Sequence, residues 1–171
     1  MTGLSNRTAI LRQMEREVSR AQREGTVLAV AIGDLDHFGR INDADGQVYG
    51  GEVLREVAQR LAGCLRTYDS IGRYGGEEFL ILMPGYDPVE NPTRLEDLVT
   101  SLQGRSFLDD GSVVRTSGSF GATAFRPYIR PFSMEEILAT ADRALHQARA
   151  VGRNCAQFVE LTDCPGIVAK A

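Results

Sequence analysis

Apolar positions along this chain change their period several times, and each change marks an element. Over residues 5–24, Ile10, Leu11, Met14 and Val18 share one face while Arg and Glu fill the other. That spacing predicts an amphipathic helix, and Gly25 stops it. Val27 to Ile32 is a continuous apolar run of strand length, the mark of a buried strand. Gly33 to Gly51 is rich in Asp, Asn and Gly and predicts a loop-rich connection with a short helical turn inside. Helical spacing returns at Val53, Leu54, Val57, Ala58 and Leu61, so Val53 to Leu65 is a second amphipathic helix. Tyr68 to Arg73 and Glu78 to Met83 form a hairpin around Gly75-Gly76.

Pro84 to Pro92 is a loop, and Leu95 to Leu102 a helix. Val113 to Phe125 mixes small, apolar and hydroxyl residues and predicts one or two strands. Pro127 to Pro131 turns the chain. Ser133 is a good N-cap with Glu136 three residues on, a capping-box pattern, and the helix it opens runs to about Ala150 before Gly152. Gln157 to Leu161 is a last short strand. Residues 1–161 then form one domain and 162–171 a loose tail. The order α, β, α, β-hairpin, α, β, α, β predicts an α/β (α+β) fold, a mixed central sheet flanked by helices.

Composition narrows the function class. The 171 residues suit one domain with a sizeable core, at 43% hydrophobic and 25% charged. A net charge of −4 argues against a nucleic-acid-coating protein. No apolar run approaches the ~20 residues of a membrane span, and Met1 to Leu4 begins no signal peptide. Cys64, Cys155 and Cys164 lack paired spacing and suggest reduced thiols in a cytoplasmic protein. Lys170 is the only Lys, so the cations are almost all Arg. That bias suits bidentate phosphate or carboxylate contacts, and genome composition accounts for it at least as well.

The candidate chemistry lies at two turns. Arg73-Tyr74-Gly75-Gly76-Glu77-Glu78-Phe79 places two glycines, which let a bulky polar group approach the backbone, beside two carboxylates able to handle a divalent cation or a proton. The following apolar run, Leu80 to Met83, seats this turn on a buried sheet. Asp34-Leu35-Asp36-His37-Phe38 leaves the first strand at its carboxyl end, where α/β sheets place ligand sites. Asp34 reaches a metal together with Glu77 if their strands are neighbours, with a carbonyl such as that of Leu35 completing an oxygen shell. The plainer reading is a solvated loop in which Asp36 caps a helix. Asn42-Asp43-Ala44-Asp45-Gly46 looks like half a calcium loop, but the bidentate Glu it needs is missing.

Several separated motifs together resemble the GGDEF domain, the catalytic domain of bacterial diguanylate cyclases. They are Thr2-Gly3-Leu4-Ser5-Asn6-Arg7, Asp34 to Phe38 with Ile41-Asn42-Asp43, and Arg73 to Phe79. Ser119-Phe120-Gly121-Ala122, Ala141-Asp142-Arg143-Ala144-Leu145 and Gly152-Arg153-Asn154 follow in the family's order and spacing. The resemblance covers residues 2 to about 158. It implies a fold like the palm of polymerases and class III nucleotide cyclases. It also implies a homodimer in which two domains meet head to head, each holding one NTP. The 3′-hydroxyl of each nucleotide attacks the α-phosphate of the other, giving a cyclic dinucleotide and two pyrophosphates.

By the same resemblance, Asp34, the Leu35 carbonyl and Glu77 hold Mg²⁺ or Mn²⁺, and Glu77 or Glu78 takes the 3′-hydroxyl proton. Gly75 and Gly76 let the nucleotide lie against the turn. The amides of His37, Phe38 and Gly39 meet the β- and γ-phosphates at a helix start. Arg149 and Arg153, one helical turn apart on a shared face, reach the triphosphate. A solvated helix end is the plainer reading of that pair.

Three positions depart from the family pattern. Asn42 matches the base-contacting Asn, but Gly51 stands where the family normally has an Asp that accepts from guanine N1–H and its amino group. Without that carboxylate, adenine meets no repulsion, and the expected product is cyclic di-GMP or cyclic GMP-AMP, from GTP and ATP. Glu52 is adjacent but points about 100° away on a helix. Gly39 and Gln47 stand where Lys and His are common, and a lost charge at 39 weakens substrate binding.

Arg66-Thr67-Tyr68-Asp69 has the RxxD pattern of the family's inhibitory product site, five residues ahead of Gly75. Arg suits a guanine Hoogsteen edge or phosphate, and a surface ion pair is the plainer reading. A cyclic dinucleotide bound there is an allosteric inhibitor as well as product. The alternative function is a degenerate domain that senses GTP or a cyclic dinucleotide without turnover. Such domains usually follow a sensor or dimerising segment, so an excised catalytic fragment is expected, with no membrane and no nucleic-acid partner in this segment.

Overall fold

The computed structural model describes residues 2–40, 47–107, 111, 113–127 and 131–161. Its elements run α1 (Arg7–Glu24), β1 (Leu28–Leu35), α2 (Gln47–Cys64), β2 (Ser70–Arg73), β3 (Glu78–Pro84) and α3 (Thr93–Leu102). They continue with β4 (Gly104–Phe107), β5 (Val113–Thr116), β6 (Gly118–Phe125), α4 (Met134–Ala150) and β7 (Ala156–Phe158). The main sheet has the order β2-β3-β1-β6-β7, and β4 with β5 makes a separate two-stranded ribbon. β1 pairs antiparallel with β3 and β6, β2 antiparallel with β3, and β7 parallel with β6. This is the mixed, helix-flanked sheet expected from the sequence.

Alternation along β1 divides the core. Ala29, Ala31 and Leu35 face α2 and α3, where Val53, Val57, Leu61, Leu98 and Leu102 are buried with Phe79, Ile81 and Phe120. Leu28, Val30 and Ile32 face α1 and α4, against Ile10, Met14, Ile137, Ala141 and Leu145. Both faces of β1 are therefore apolar, which explains its unbroken apolar run. Period 2 puts Asp34 on the α1/α4 face, in line with Val30 and Ile32.

Local chemistry sets the helix ends. Asn6 accepts from the Ala9 amide at 2.9 Å to start α1, and Gly25 ends it in the left-handed region at φ 67. Ser133 and Glu136 form the expected capping box on α4. β6 and α4 pack at backbone contact, because a Cβ on Gly121 would collide with the Leu145 amide and the Ala141 carbonyl.

Four expectations change. β1 runs on through Asp34, paired with both neighbouring strands, and Leu35, paired with β6, so Asp34 lies on the sheet and not in a loop. α2 begins at Gln47 instead of Val53 and includes both Gly50 and Gly51. β4 lies in a segment with no strand signal of its own, Gly104-Arg105-Ser106-Phe107. The last strand is Ala156–Phe158. The tail, residues 162–171, falls outside the described residues.

Candidate functional site

Register brings the two acidic turns together. β1 and β3 are neighbours, and Asp34 is the direct cross-strand partner of Glu78. Alternation along β3 sets Glu78 in line with Leu80 and Leu82, on the same face as Asp34. Glu77 immediately precedes the strand and is half-buried. The sheet therefore gathers Asp34, Glu77 and Glu78 at one end, below the C-terminal end of α4.

Arg149 reaches this cluster from the last turn of α4, and its Nη2 donates to Asp34 Oδ2 at 2.7 Å. Arg153 does not share a helical face with it: α4 ends at Ala150, and Arg153 and Asn154 both sit in the left-handed region, at φ 65 and 50. Gly152 breaks the helix first, so the chain turns back. Arg153 still contributes its charge at Asp34.

Burial pushes the Asp34 carboxyl above its ordinary range, and Arg149 pulls it back only in part. Glu77 is raised by burial and by the charges of Asp34 and Glu78. Glu78 is raised by burial and Asp34, against Arg149. Burial works to lower Arg149, but its bond to Asp34 and the surrounding carboxylates leave it raised overall. Three carboxylates crowd one partly dry place with one directly bonded arginine, an arrangement that favours a proton or a further cation.

The glycine turn is held by its own residues. The Arg73 guanidinium donates to the carbonyls of Gly75, at 3.3 Å, and Gly76, at 2.6 and 3.2 Å. A Cβ on Gly75 would collide with the Glu78 carboxylate, while one on Gly76 would meet nothing. Open space of the kind expected for a ligand therefore belongs to Gly76, and Gly75 makes room for Glu78. The Arg7 guanidinium lies over the Tyr74 ring at 5.0 Å and is among the cations felt by Glu78.

Beyond β1, Asp36 and His37 turn the chain and a helical turn begins at Phe38. His37 takes a left-handed φ of 58, and Phe38 is buried in the core. His37 and Gly39 are exposed. The first amides of a helix have no acceptor within it. Asn42 lies outside the described residues. Gly51 is exposed on α2, and a Cβ there would meet no atom within 4 Å.

Asp36 does not cap that helical turn. Its carboxylate accepts from Ser117 Oγ at 2.8 Å, Ser119 Oγ at 2.7 Å and the Asn154 amide at 3.0 Å. These donors lie far along the chain, so no local spacing reveals them.

The expected inhibitory pair is also rearranged. Asp69 does not pair with the Arg66 side chain. Its buried carboxylate pairs with Arg94 on α3 and accepts from the Arg66 amide at 2.8 Å. Arg94 also lies over the Tyr86 ring at 4.9 Å. The Arg66 guanidinium is exposed and donates to the Tyr68 hydroxyl at 3.0 Å. Arg94 was not legible in the sequence, since it has no local spacing to Asp69. Asp69 Oδ1 is buried with no hydrogen-bond partner.

Among the described residues no three His, Cys, Asp or Glu side chains converge as a ready metal cage. Asp34 Oδ1 is nonetheless buried with no hydrogen-bond partner, and the donors around it are oxygens. Mg²⁺ needs only one or two carboxylates when substrate phosphates and water fill its other positions. Asp34, Glu77 and the Leu35 carbonyl fit such a partial shell.

A family model described as "Diguanylate cyclase, GGDEF domain" matches residues 1–155. The chain is 38% identical over 154 residues to the diguanylate cyclase DgcP of Pseudomonas aeruginosa, covering 90% of this chain and 22% of that protein. It is 35% identical over 158 residues to the cyclic di-GMP phosphodiesterase NbdA of the same organism, covering 92% of this chain and 20% of that protein. The chain thus spans about a fifth of the length of either relative, and their names differ in the reaction they assign. In fold, it is similar to the GGDEF domain of DgcB from Caulobacter crescentus, crystallised with c-di-GMP. That match has a TM-score of 0.84 at 28% identity and covers 92% of each chain. By sequence across nearly its whole length, and by fold, this chain belongs to the GGDEF domain family of diguanylate cyclases.

Proposed function

We propose that this domain is a divalent-metal-dependent dinucleotide cyclase. It joins two purine NTPs into a 3′,5′-cyclic dinucleotide and releases two pyrophosphates. The observation that carries this reading is the Asp34–Glu78 register, which leaves Asp34 Oδ1 buried and unpaired beside two carboxylates whose affinity for protons is raised.

Each half-reaction forms a bond from the 3′-oxygen of one nucleotide to the α-phosphorus of the other and breaks the bond to the bridging oxygen of pyrophosphate. Two domains facing each other supply one NTP each. Glu78 or Glu77 accepts the 3′-hydroxyl proton, and a raised carboxyl is a better base for that task. Arg149 and Arg153 carry the positive charge that holds the triphosphate, with the amides of His37, Phe38 and Gly39 on its distal phosphates. Gly76 keeps the nucleotide's path along the turn open, and Gly75 leaves room for the Glu78 carboxylate beside it. When bound by Asp34, Glu77 and the Leu35 carbonyl, a divalent cation supplies charge neutralisation on the transferring phosphoryl group and polarises the hydroxyl.

The base specificity is relaxed. Gly51 offers no carboxylate to guanine, leaving Asn42 as the base contact from the family pattern. The product is cyclic di-GMP from GTP alone and includes cyclic GMP-AMP from mixed GTP and ATP. An equimolar mixture assayed by mass spectrometry tests this: only cyclic di-GMP would refute the relaxed specificity. Gly51→Asp has open space for its side chain and restores one charged acceptor, worth about 1.5–3 kcal/mol. It should raise the preference for GTP over ATP by roughly 10- to 150-fold, and an unchanged preference would contradict the role of position 51.

A second reading, nucleotide sensing without turnover, is favoured by that same missing carboxylate. It requires GTP binding with no product under any base mixture. Either way, Arg66 and Asp69 are proposed as the inhibitory site for the cyclic dinucleotide. Arg66→Ala should raise the product concentration that halves the rate by about tenfold or more, and unchanged inhibition would remove the assignment.

A further inference from the structure

We propose that Asp36 is the positioning residue of the triphosphate cradle, fastening its two halves to each other through one buried carboxylate. The inference rests on the cyclase reading above for what the cradle holds. One half is the turn after β1, which presents the amides of residues 37–39. The other is the 153–154 turn, which presents Arg153. They are separated by more than a hundred residues of sequence, and Asp36 touches both.

The contacts are specific. The Asp36 amide donates to the Ser117 carbonyl at 2.9 Å. Its Oδ1 accepts from Ser119 Oγ at 2.7 Å, and its Oδ2 from Ser117 Oγ at 2.8 Å and the Asn154 amide at 3.0 Å. The Asn154 amide is shared with Ser119 Oγ at 3.1 Å. Asp36 is 9% exposed and Ser119 is fully buried. Three hydrogen bonds from neutral donors stabilise its charge.

The position of Asn154 matters because its chain neighbour is Arg153. Both residues hold left-handed backbone, at φ 65 and 50. A non-glycine residue keeps that conformation only where its surroundings fix it. The Arg153 amide is bonded to the Ala148 carbonyl at 3.0 Å and the Asn154 amide to Asp36. The turn is thus pinned at one end by α4 and at the other by Asp36. His37, next to Asp36 on the other half, has its own left-handed φ of 58. Fixing both turns against the rigid end of β6 sets the distance between the amides and the guanidinium that share one triphosphate. Preset donors bind an anion without a further ordering cost.

The test is calorimetric binding of inorganic tripolyphosphate and of GTP, each with Mg²⁺, to the wild type, Asp36→Asn and Ser117→Ala. All are measured well below their melting temperatures. Asp36→Asn should weaken both ligands by about tenfold, and Ser117→Ala, which removes one donor, by about threefold. In an Arg153→Ala background the Asp36→Asn effect should largely vanish, because a residue acting through Arg153 has nothing left to position. Equal affinities for wild type and folded variants, or fully additive effects, would overturn the inference while leaving the nucleotide site standing. If Asp36→Asn does not fold, Ser117→Ala and its cycle with Arg153→Ala decide. A wild type that binds neither ligand overturns the nucleotide reading itself.

Discussion

Glu78 shows how single residues here favour function over stability. Burial and the nearby Asp34 raise its carboxyl above the ordinary 4.5. The sign of the linkage follows: stability is fully present below the unfolded value and falls as pH rises through the higher folded value. Glu78→Gln removes that loss. The variant should therefore melt above the wild type near pH 7.5, by about 1–3 °C, and the gap should close near pH 3.5. Thermal melts at both pH values check this, and a gap of equal size at both would contradict it. The identities of Asp34, Glu77, Glu78, Arg149 and Arg153 were legible in the sequence as site candidates. Their neighbours were less so. The bond from Arg149 to Asp34 and the pairing of Asp69 with Arg94 come from tertiary approach, whereas the separation of Arg153 from the helix follows from the local break at Gly152.

At the scale of elements, α4 links core and site, since it buries Ile137, Ala141 and Leu145 and delivers Arg149. Its capped N-terminus and its middle, against β6, should respond differently to substitution. Ser133→Ala removes a cap and should cost about 1 kcal/mol in urea unfolding. Gly121→Ala drives a methyl group into the α4 backbone, which cannot move aside as a side chain can, and should cost about 3 kcal/mol or abolish folding. Equal costs would contradict the backbone contact between β6 and α4. Most elements were readable because their apolar period is strong, as in α1 and β1. β4 was not, because Gly104-Arg105-Ser106-Phe107 carries no alternating apolar face, and among the described residues it pairs with β5 alone. β1 was read as ending early because Gly33 and Asp34 resemble a turn, although both are paired on two sides.

At the scale of the whole molecule, the antiparallel pairing of β1 with β3 is what makes the two acidic turns one site. Element order alone leaves sheet order open, so the sequence could only state the condition that these strands be neighbours. The family motifs supplied the expectation that they are. A buried pair such as Arg126 with Asp87, at 2.8 Å, ties the far end of β6 to the loop after β3, and no local pattern announces it. The site end of the sheet carries crowded carboxylates and an orphaned oxygen, Asp34 Oδ1, while the pairing of Arg126 with Asp87 and Glu160 closes the opposite end. That asymmetry fits the proposed reading, in which ligand is met at one end of the sheet.

In the proposed cyclase, Asp34, Glu77 and Glu78 serve nucleotide turnover. The direct measurement is mass spectrometry and pyrophosphate release from GTP with Mg²⁺, comparing the wild type with Glu77→Ala. The wild type should yield a cyclic dinucleotide and two pyrophosphates per product, and Glu77→Ala a rate at least a hundredfold lower, roughly 2.7 kcal/mol or more in the barrier. GTP binding by the wild type with no product, or equal product from both proteins, would contradict the cyclase reading.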